Sequence, residues 1–264
     1  MTQPFFFGRP QRILFGILHA AQPSRRGSLL GCAPLLQEGI RSHRALWALA
    51  KALASDGVET LRFDWFGSGD SAGDTADMEF AGLLDDLQVA RSTLCAVPDS
   101  MRIRLLALRS AALPLLAHAA AANDPVDLVL WDPLLCGRDV VADWRQQHRQ
   151  QLNEVGRYRG RTKSGREELL GFDISEALLD ALATVDGCES PLPSGSRVLL
   201  AVWEITPQLQ RFTQVQRSAG VEVEHMIFDT ADRPPWEDMH RFDNLALPRR
   251  SLVQLAQRLG SATW

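Results

Sequence analysis

The sequence predicts an α/β protein with a mainly parallel, eight-stranded sheet and helices on both faces. Apolar stretches of strand length alternate with segments of helical periodicity along most of the 264 residues, which is typical of that architecture. At about 100–200 residues per domain, this length suits one large domain or two small ones. The apolar content of 45% is ordinary for a globular protein and excludes wholesale disorder.

The strands are predicted from apolar runs that are too short for helices. The first two, joined by residues 8–11, are predicted to form an antiparallel hairpin that leads into the parallel part of the sheet. In chain order the eight strands are predicted at 5–7, 12–18, 28–32, 58–64, 103–108, 126–131, 198–203 and 221–228.

Five helices are predicted between these strands from their amphipathic periodicity. Ser42 and the pair Asp56-Gly57 provide start and stop signals for the first helix. The helices are predicted at 42–55, 80–95, 110–122, 207–218 and 248–259.

One region interrupts the alternation. Between Asp132 and Gly195 no strand is predicted, two helices are expected at 140–152 and 175–183, and the basic stretch 157–166 reads as a mobile connection. An insertion at this place is typical of a cap over the carboxyl edge of the sheet, where α/β folds bind ligands. A peripheral helical hairpin without a ligand role is the alternative. The expected division is therefore a core of 1–133 and 196–264 with a helical cap at 134–195.

Composition excludes several classes of function. The net charge of −4 argues against a general nucleic-acid binder. No uninterrupted run of 18 apolar residues exists, so no membrane span is expected, and the N-terminal MTQPFFFGRPQR lacks the basic start of a signal peptide.

The spacing of the cysteines and of the glycines does not indicate a metal or a dinucleotide cofactor. The four cysteines have neither metal-ligand spacing nor the density of a disulfide scaffold, so a reduced cytoplasmic location is the expectation. The histidines do not cluster with them, which disfavours a metal enzyme. No complete G-x-G-x-x-G follows an early strand, which disfavours a dinucleotide enzyme.

Two segments carry a family resemblance. LRFDWFGSGDSAG, residues 61–73, resembles the fourth strand and following loop of α/β-hydrolases, and is most similar to the serine-aminopeptidase-like branch. CAPLLQEGIRSHRALWALAKAL resembles the third-strand loop and first helix of a bacterial subgroup found beside biosynthetic genes, including exosortase-associated hydrolases. The resemblance implies the α/β-hydrolase fold with a cap after the sixth strand, and assigns Asp64 and Asp70 mainly structural roles.

The nucleophile position departs from the family pattern. α/β-Hydrolases hold the nucleophile in G-x-S-x-G, on a tight turn after the fifth strand that requires small residues two positions before and after it. In LLALRSAAL, centring the turn on Ser110 places the bulky Leu108 at a flank. Centring it on Arg109 places Ala107 and Ala111 there, so steric reasoning predicts Arg109 at the apex.

An arginine at this turn suggests anion binding rather than catalysis. It stays protonated and cannot be a nucleophile, but at a helix N-terminus it favours a carboxylate, phosphate or sulfate. An internal salt bridge is the alternative, with Glu38 on the third-strand loop as the obvious partner.

The other triad positions implied by the resemblance hold weak candidates. For the acid, Glu204 follows the seventh strand and Asp132 follows the sixth, although Asp132 also suits a turn before Pro133. For the base, His240 lies late in the loop DTADRPPWEDMHRFDN, in which Trp236 is expected to pack over the site or core.

Further polar residues are expected near this edge. His43, placed in the first turn of the first helix, is predicted to converge with Glu38, Arg44 and Arg109 on one pocket, or else to face solvent. Backbone amides of residues 33–35 and of Ala111 would form an oxyanion hole. Cys32 at the end of the third strand is either an accessible thiol or a small buried hydrophobe.

Two functions follow from these residues. One is a hydrolase or acyl-transfer protein acting on an ester, thioester or amide of a small-molecule or carrier-bound acyl substrate. Its nucleophile would be Ser110, its base His240, and its acid Asp132 or Glu204. The other is a protein with a degenerate triad that binds an anionic ligand or a biosynthetic partner through Arg109, with Glu38, His43, Cys32 and Ala33 nearby.

Overall fold

An eight-stranded sheet forms the centre of the computed structural model, which describes residues 2–95, 103–155, 164–238 and 247–261. Its strands in chain order are β1 (Thr2–Arg9), β2 (Arg12–His19), β3 (Gly27–Cys32), β4 (Val58–Phe63), β5 (Ile103–Leu108), β6 (Asp127–Trp131), β9 (Arg197–Val202) and β10 (Glu222–Ile227), with the smaller hairpin β7 (Arg166–Leu169) and β8 (Phe172–Ser175) inserted between β6 and β9. The spatial order is β1-β2-β4-β3-β5-β6-β9-β10. The pairs β1–β2 and β2–β4 are antiparallel, and the other five pairs are parallel.

The eight predicted strands of this sheet are confirmed, with ends that shift by a few residues. Side chains alternate between two hydrophobic cores because successive residues of a strand point to opposite faces. In β5, Leu105 and Ala107 belong to one core, while Leu106 and Leu108 belong to the other. Burial on both faces explains why the central strands read as continuous apolar runs.

Helices cover both faces of the sheet. They are α1 (Leu36–Ser55), α2 (Phe80–Cys95), α3 (Ala112–Ala120), α4 (Gly137–Val155), α5 (Glu176–Ala183), α6 (Pro207–Ser218) and α7 (Arg249–Gly260). α1 and α7 pack on one face, whereas α2, α3 and α6 contribute to the core of the other. In the described residues, no helix has the length and apolar character needed to cross a membrane.

The predicted start of the first helix is wrong. α1 begins at Leu36, so Ser42 lies inside it, and the Ser42 hydroxyl donates to the carbonyl of Glu38 instead of capping the helix. Glu38 therefore belongs to the first turn of α1, not to a loop, and His43 lies beyond that turn. The predicted end is confirmed, because Gly57 takes a positive φ of 82° directly after Asp56.

The expectation that residues 132–195 contain no strand is also wrong. Alongside α4 and α5, this stretch contains the antiparallel hairpin of β7 and β8. Leu170 and Gly171 connect the two strands, with φ values of 56° and 88° that fit a two-residue hairpin turn. The predicted mobile connection at 157–166 lies largely outside the described residues.

Candidate functional site

Arg109 occupies the tight turn between β5 and α3. Its φ of 49° is in the left-handed region, which a residue other than glycine enters at a cost of about 1–3 kcal/mol. The flanking Ala107 and Ala111 are fully buried, as the crowding at such a turn requires. Arg109, and not Ser110, therefore has the special backbone conformation of the apex.

The guanidinium of Arg109 is held by carboxylates from three other elements. Nε donates to Glu38 Oε1 of α1 at 2.8 Å, and Nη1 donates to Asp132 Oδ2, after β6, at 2.6 Å. Glu237 Oε2, in the segment after β10, lies 3.8 Å from Nη1. Arg109 is only 5% exposed, so the expected ion pair with Glu38 is present inside the protein as part of a larger cluster.

The electrostatics of this cluster keep Arg109 charged. Burial lowers the pKa of Arg109. The carboxylates of Glu38, Asp132 and Glu237 raise it by more than burial lowers it, so the net shift is upward. Burial raises the pKa of Glu38 against the opposing effect of Arg109. A permanently charged guanidinium can bind and orient carboxylates, but it cannot attack a carbonyl.

Backbone strain is concentrated around the Arg109 cluster. Leu36 after β3 and Asp132 after β6 also take positive φ values, of 56° and 46°. Such conformations persist only where the surrounding structure enforces them, and they are common at functional sites. The strained residues lie at the carboxyl ends of neighbouring parallel strands, the edge at which α/β proteins bind ligands.

Ser110 is fully buried, and its hydroxyl is already engaged. Ser110 Oγ accepts a hydrogen bond of 2.9 Å from the backbone N–H of Leu35. Leu35 belongs to the 33–35 stretch whose amides were expected to form the oxyanion hole, so this bond occupies both the candidate nucleophile and a candidate oxyanion donor. Within the part of the chain that the structure describes, no histidine bonds to Ser110.

In the part of the chain that the structure describes, neither candidate for the acid of a triad is hydrogen-bonded to Ser110. Glu204 is exposed in the turn after β9, and Asp132 is bonded to Arg109. His240 lies outside the described residues. The structure thus pairs Asp132 with a guanidinium at the place where a triad would require an imidazole.

Glu237 is a member of the cluster that sequence reasoning missed. The preceding Trp236 is fully buried and packs edge-on against Trp131 and Trp203, with ring centroids 5.5 and 6.0 Å away. This packing fixes the loop after β10 and brings Glu237 towards Arg109. The sequence signal was the tryptophan itself, since a large apolar residue in a polar loop indicates a loop that folds back onto the core.

A cleft of about 710 Å³ lies beside the start of α1, where Leu35 and Leu36 are part of its lining. The loop after β4 forms its opposite wall, where the Asp64 carboxylate accepts the N–H of Asp70 at 3.0 Å. Gly69 allows this approach, because a Cβ there would collide with Asp64. Apolar and polar side chains both line the cleft, among them Leu36, Ile40, His43, Arg44, Asp64, Trp65, Ser68, Asp70, Met78 and Phe172.

The predicted ligand residues separate into two groups. Ala33 and His43 line the cleft, whereas Glu38 and Arg109 form the buried cluster and are absent from the described lining. Cys32 is fully buried at the end of β3, and burial raises the pKa of its thiol. A buried thiol of this kind is protonated and inaccessible.

The β7–β8 hairpin closes one side of the cleft. Phe172 is part of the lining, and the carbonyl of Leu170 accepts a hydrogen bond of 2.8 Å from Gln37 Nε2 of α1. Leu170 is 3% exposed, and its N–H donates to His148 Nδ1 of α4 at 3.2 Å. The tip of the hairpin is therefore anchored between α1 and α4.

Comparison with known proteins identifies the fold. Neither a protein-family profile nor a curated protein sequence matches the chain. Among solved structures, the chain is similar to a lipase in its open form, with a TM-score of 0.64 and 14% identity over 99% of this chain and 100% of that one. It is also similar to Est1E from Butyrivibrio proteoclasticus with bound ferulic acid, with a TM-score of 0.60 and 15% identity over 97% of this chain and 96% of that one.

A third similar structure is XC6422 from Xanthomonas campestris, described as an α/β serine hydrolase without a lid. The TM-score is 0.56 and the identity 17%, over 99% of this chain and 93% of that one. These similarities, together with the strand order, show that the chain has the α/β-hydrolase fold.

Proposed function

We propose that this chain is an α/β-hydrolase-fold protein with a degenerate triad, which binds a small molecule in the cleft beside α1 without cleaving it. The observation that carries this proposal is the residue at the apex after β5, Arg109, whose guanidinium is bonded to Glu38 and Asp132. Nucleophilic catalysis needs a hydroxyl, thiol, amine or carboxylate that can attack, and a guanidinium supplies none of these.

In this proposal Arg109 is a positioning residue. Its ion pairs join the apex to α1, to the residue after β6 and to the segment after β10. α1 also forms one wall of the cleft, so Arg109 and Glu38 would fix that wall while Ala33 and His43 face the ligand. Buried ion pairs contribute little net stability, and holding a defined arrangement is their best-supported role.

We further propose that 134–195 is the cap of this site, and that 1–133 and 196–264 form the core. The support is the hairpin, which reaches the cleft through Phe172 and contacts α1 through Gln37. A role at the ligand site suits these contacts better than a peripheral role does.

The branch of α/β-hydrolases to which this chain belongs is also part of the proposal. The segment at 61–73 favours the serine-aminopeptidase-like branch, and the segment CAPLLQEGIRSHRALWALAKAL favours the exosortase-associated subgroup. A protein of that subgroup would work beside biosynthetic enzymes, holding a small-molecule or carrier-bound acyl compound or contacting a protein partner. We propose a cytoplasmic location because the four cysteines have neither metal-ligand spacing nor the density of a disulfide scaffold.

The competing function is hydrolysis or acyl transfer on an ester, thioester or amide, with Ser110 as nucleophile and His240 as base. It would require Ser110 to release the N–H of Leu35 and to become accessible. The hydrolase fold alone does not favour it, because this fold hosts many functions and function depends on the site.

A neutral fluorescent probe tests binding without turnover. N-phenyl-1-naphthylamine should bind saturably, and Ile40→Asp should weaken its binding about tenfold, because a charge enters an apolar wall. Ile40 is 67% exposed and lines the cleft, so its substitution should not disturb folding. Val253→Asp on α7, at a residue 52% exposed, is the matched control and should leave binding unchanged.

Wild type and Ser110→Ala should hydrolyse p-nitrophenyl butyrate at the same rate. Absence of saturable probe binding, or equal binding by Ile40→Asp and wild type, would contradict the cleft as the ligand site. Hydrolysis that depends on Ser110 would contradict the degenerate triad.

A further inference from the structure

The cleft beside the start of α1 is apolar where it meets the β7–β8 hairpin. Phe172 of the hairpin lines it together with Leu36 of α1 and Met78 of the loop after β4. The hairpin is joined to that loop, because Ser175 Oγ donates to the carbonyl of Met78 at 3.4 Å. This part of the lining suits a hydrocarbon group.

The lining becomes acidic where the cleft adjoins a second cavity, of about 250 Å³, between α1 and the strands β2, β3 and β4. The cleft and this cavity share Ala33, His43, Asp64 and Asp70. Burial lowers the pKa of His43, so its imidazole is neutral at pH 7. The two carboxylates are therefore the charged groups that both spaces share.

These two carboxylates retain free capacity to accept hydrogen bonds. Asp64 Oδ2 accepts the N–H of Asp70 at 3.0 Å. In the described part of the chain, Asp64 Oδ1 and the side-chain oxygens of Asp70 accept no hydrogen bond. Asp64 is half-buried, and burial raises its pKa because a carboxylate loses hydration there. A cation in contact with Oδ1 would offset that loss.

The charged side chains of the two linings leave negative charge in excess. Asp64, Asp70 and Asp74 line the cleft together with Arg44, and Arg62 lines the smaller cavity. Arg62 balances Asp64 in part, because its charge favours the ionised carboxylate. Three carboxylates thus face two guanidinium groups. A ligand with a single positive charge would balance the remaining carboxylate.

The chain that forms this wall adds to the negative potential. Residues 63–90 contain seven acidic residues and no lysine, arginine or histidine. Asp85 and Asp86 pair with arginines of the β1–β2 hairpin, and the other five lie within 64–79, next to the cleft. Clefts lined by one sign of charge concentrate ligands of the opposite sign.

An organic cation fits this lining better than a metal ion does. Among the residues that the structure describes, no group of three or more metal-ligating side chains is placed to hold a metal. An ammonium group carries three N–H donors, which carboxylate oxygens and a neutral imidazole can accept. The apolar side chains at the hairpin would contact the hydrocarbon part of the same ligand.

We propose that the cleft binds a small apolar monoamine in its protonated form, with the ammonium group at Asp64 and Asp70 and the hydrocarbon group against Met78 and Phe172. This inference rests on the proposed ligand-binding function and names its ligand class. It replaces the anion that the sequence suggested, because the guanidinium of Arg109 is bonded to internal carboxylates.

Titration calorimetry with three compounds that share a phenethyl skeleton tests the ligand class on the wild-type protein. Phenethylamine, which is protonated at pH 7, should bind at least about tenfold more tightly than phenethyl alcohol, because charge-assisted hydrogen bonds are stronger than neutral ones. Hydrocinnamate, the carboxylate of the same skeleton, should bind more weakly than the alcohol. No saturable binding of phenethylamine, equal affinity for the alcohol, or tighter binding of hydrocinnamate than of phenethylamine would each overturn the proposal.

Substitutions then test the residues. Asp64→Asn keeps an oxygen that can accept the N–H of Asp70 but removes the charge, so it should weaken phenethylamine at least about tenfold. Asp70→Asn should weaken it less, because Asp70 is exposed and solvent screens its charge. Asp85→Asn is the matched control, at a side chain that is 58% exposed and outside the described lining, and should leave the affinity unchanged.

Unchanged affinity of Asp64→Asn for phenethylamine would overturn the assignment of the ammonium site. If that variant fails to fold, Asp70→Asn decides in its place, and an affinity equal to that of Asp85→Asn would overturn the assignment.

The neutral probe separates this inference from the proposed function. Phenethylamine should displace N-phenyl-1-naphthylamine from the wild-type protein, since both would occupy the cleft. Amine binding without displacement, or probe binding without any preference for the amine over the alcohol, would overturn the ammonium site alone. Absence of saturable probe binding would count against the cleft itself.

Discussion

Arg109 combines a strained backbone with a buried charge, and only part of that arrangement could be predicted from its neighbours in the sequence. The small residues Ala107 and Ala111 were sufficient to predict which residue lies at the apex, because the steric demand of the turn is local. The partner Glu38 also followed from topology. Glu237 did not, because its approach to Arg109 depends on the packing of Trp236 between two other tryptophans.

Removing the guanidinium should destabilise the protein strongly. Arg109→Met would leave the carboxylates of Glu38 and Asp132 without their cation, and breaking a buried ion pair in this way costs about 3–5 kcal/mol. Urea denaturation measures this loss. Arg211→Met breaks the exposed pair with Glu189 and should cost less than about 1 kcal/mol. Equal effects of the two substitutions would contradict the role of Arg109 as the centre of a buried cluster.

Ser110→Ala should change stability and not activity. The substitution removes the acceptor of the Leu35 N–H, and an unsatisfied buried donor costs about 1–3 kcal/mol. Denaturation midpoints measure this cost. Ser55→Ala, at an exposed serine that bonds the carbonyl of Lys51, is the control and should cost less. If the Ser110 variant were as stable as wild type, the hydroxyl would not have the structural role described here.

His19 should contribute a pH dependence to stability. Its folded pKa of about 4 is below the ordinary value of 6.5, so between these values the unfolded chain binds more protons. The contribution of His19 is complete above pH 6.5 and is lost as pH falls towards 4, to a total of about 3 kcal/mol at 1.36 kcal/mol per pH unit. His19→Gln should flatten the profile between pH 6.5 and 4, and an unchanged slope would contradict the burial of a neutral imidazole.

At the scale of elements, helices and central strands were more predictable than the insertion. α2 and α6 have the predicted ends, because amphipathic periodicity over several turns is a strong signal. The strands β7 and β8 have only four residues each, which is too few to show the alternation of apolar and polar residues that predicts a strand. Their pairing depends on the turn at Leu170-Gly171 and on contacts with α1 and α4 that are distant in the sequence.

The anchored hairpin tip gives a prediction at this scale. Leu170→Ala removes most of a buried side chain, which costs about 2–5 kcal/mol, and the loss should appear chiefly as local opening. Hydrogen exchange should therefore accelerate at the amides of β7 and β8 by at least tenfold and remain slow in β5. Uniform acceleration across the sheet would show that the hairpin does not open as a separate unit.

At the scale of the whole molecule, the alternation of apolar strands and amphipathic helices was sufficient to predict the sheet, because each central strand is buried on both faces. The cleft was not predictable to the same degree. Its walls come from α1, the loop after β4 and the β7–β8 hairpin, and its position follows from how these elements pack. The fold could therefore be predicted from local sequence patterns, whereas the cleft depends on contacts between residues that are far apart in the sequence.

Arg109 places a guanidinium at the apex after β5, and we expect that the adjacent Ser110 does not act as a nucleophile. Treatment with a fluorophosphonate probe followed by intact-protein mass spectrometry checks this expectation, because the probe forms a covalent adduct with an activated serine. The mass should be unmodified for wild type and for Ser110→Ala alike. An adduct on wild-type Ser110 that disappears in Ser110→Ala would contradict it.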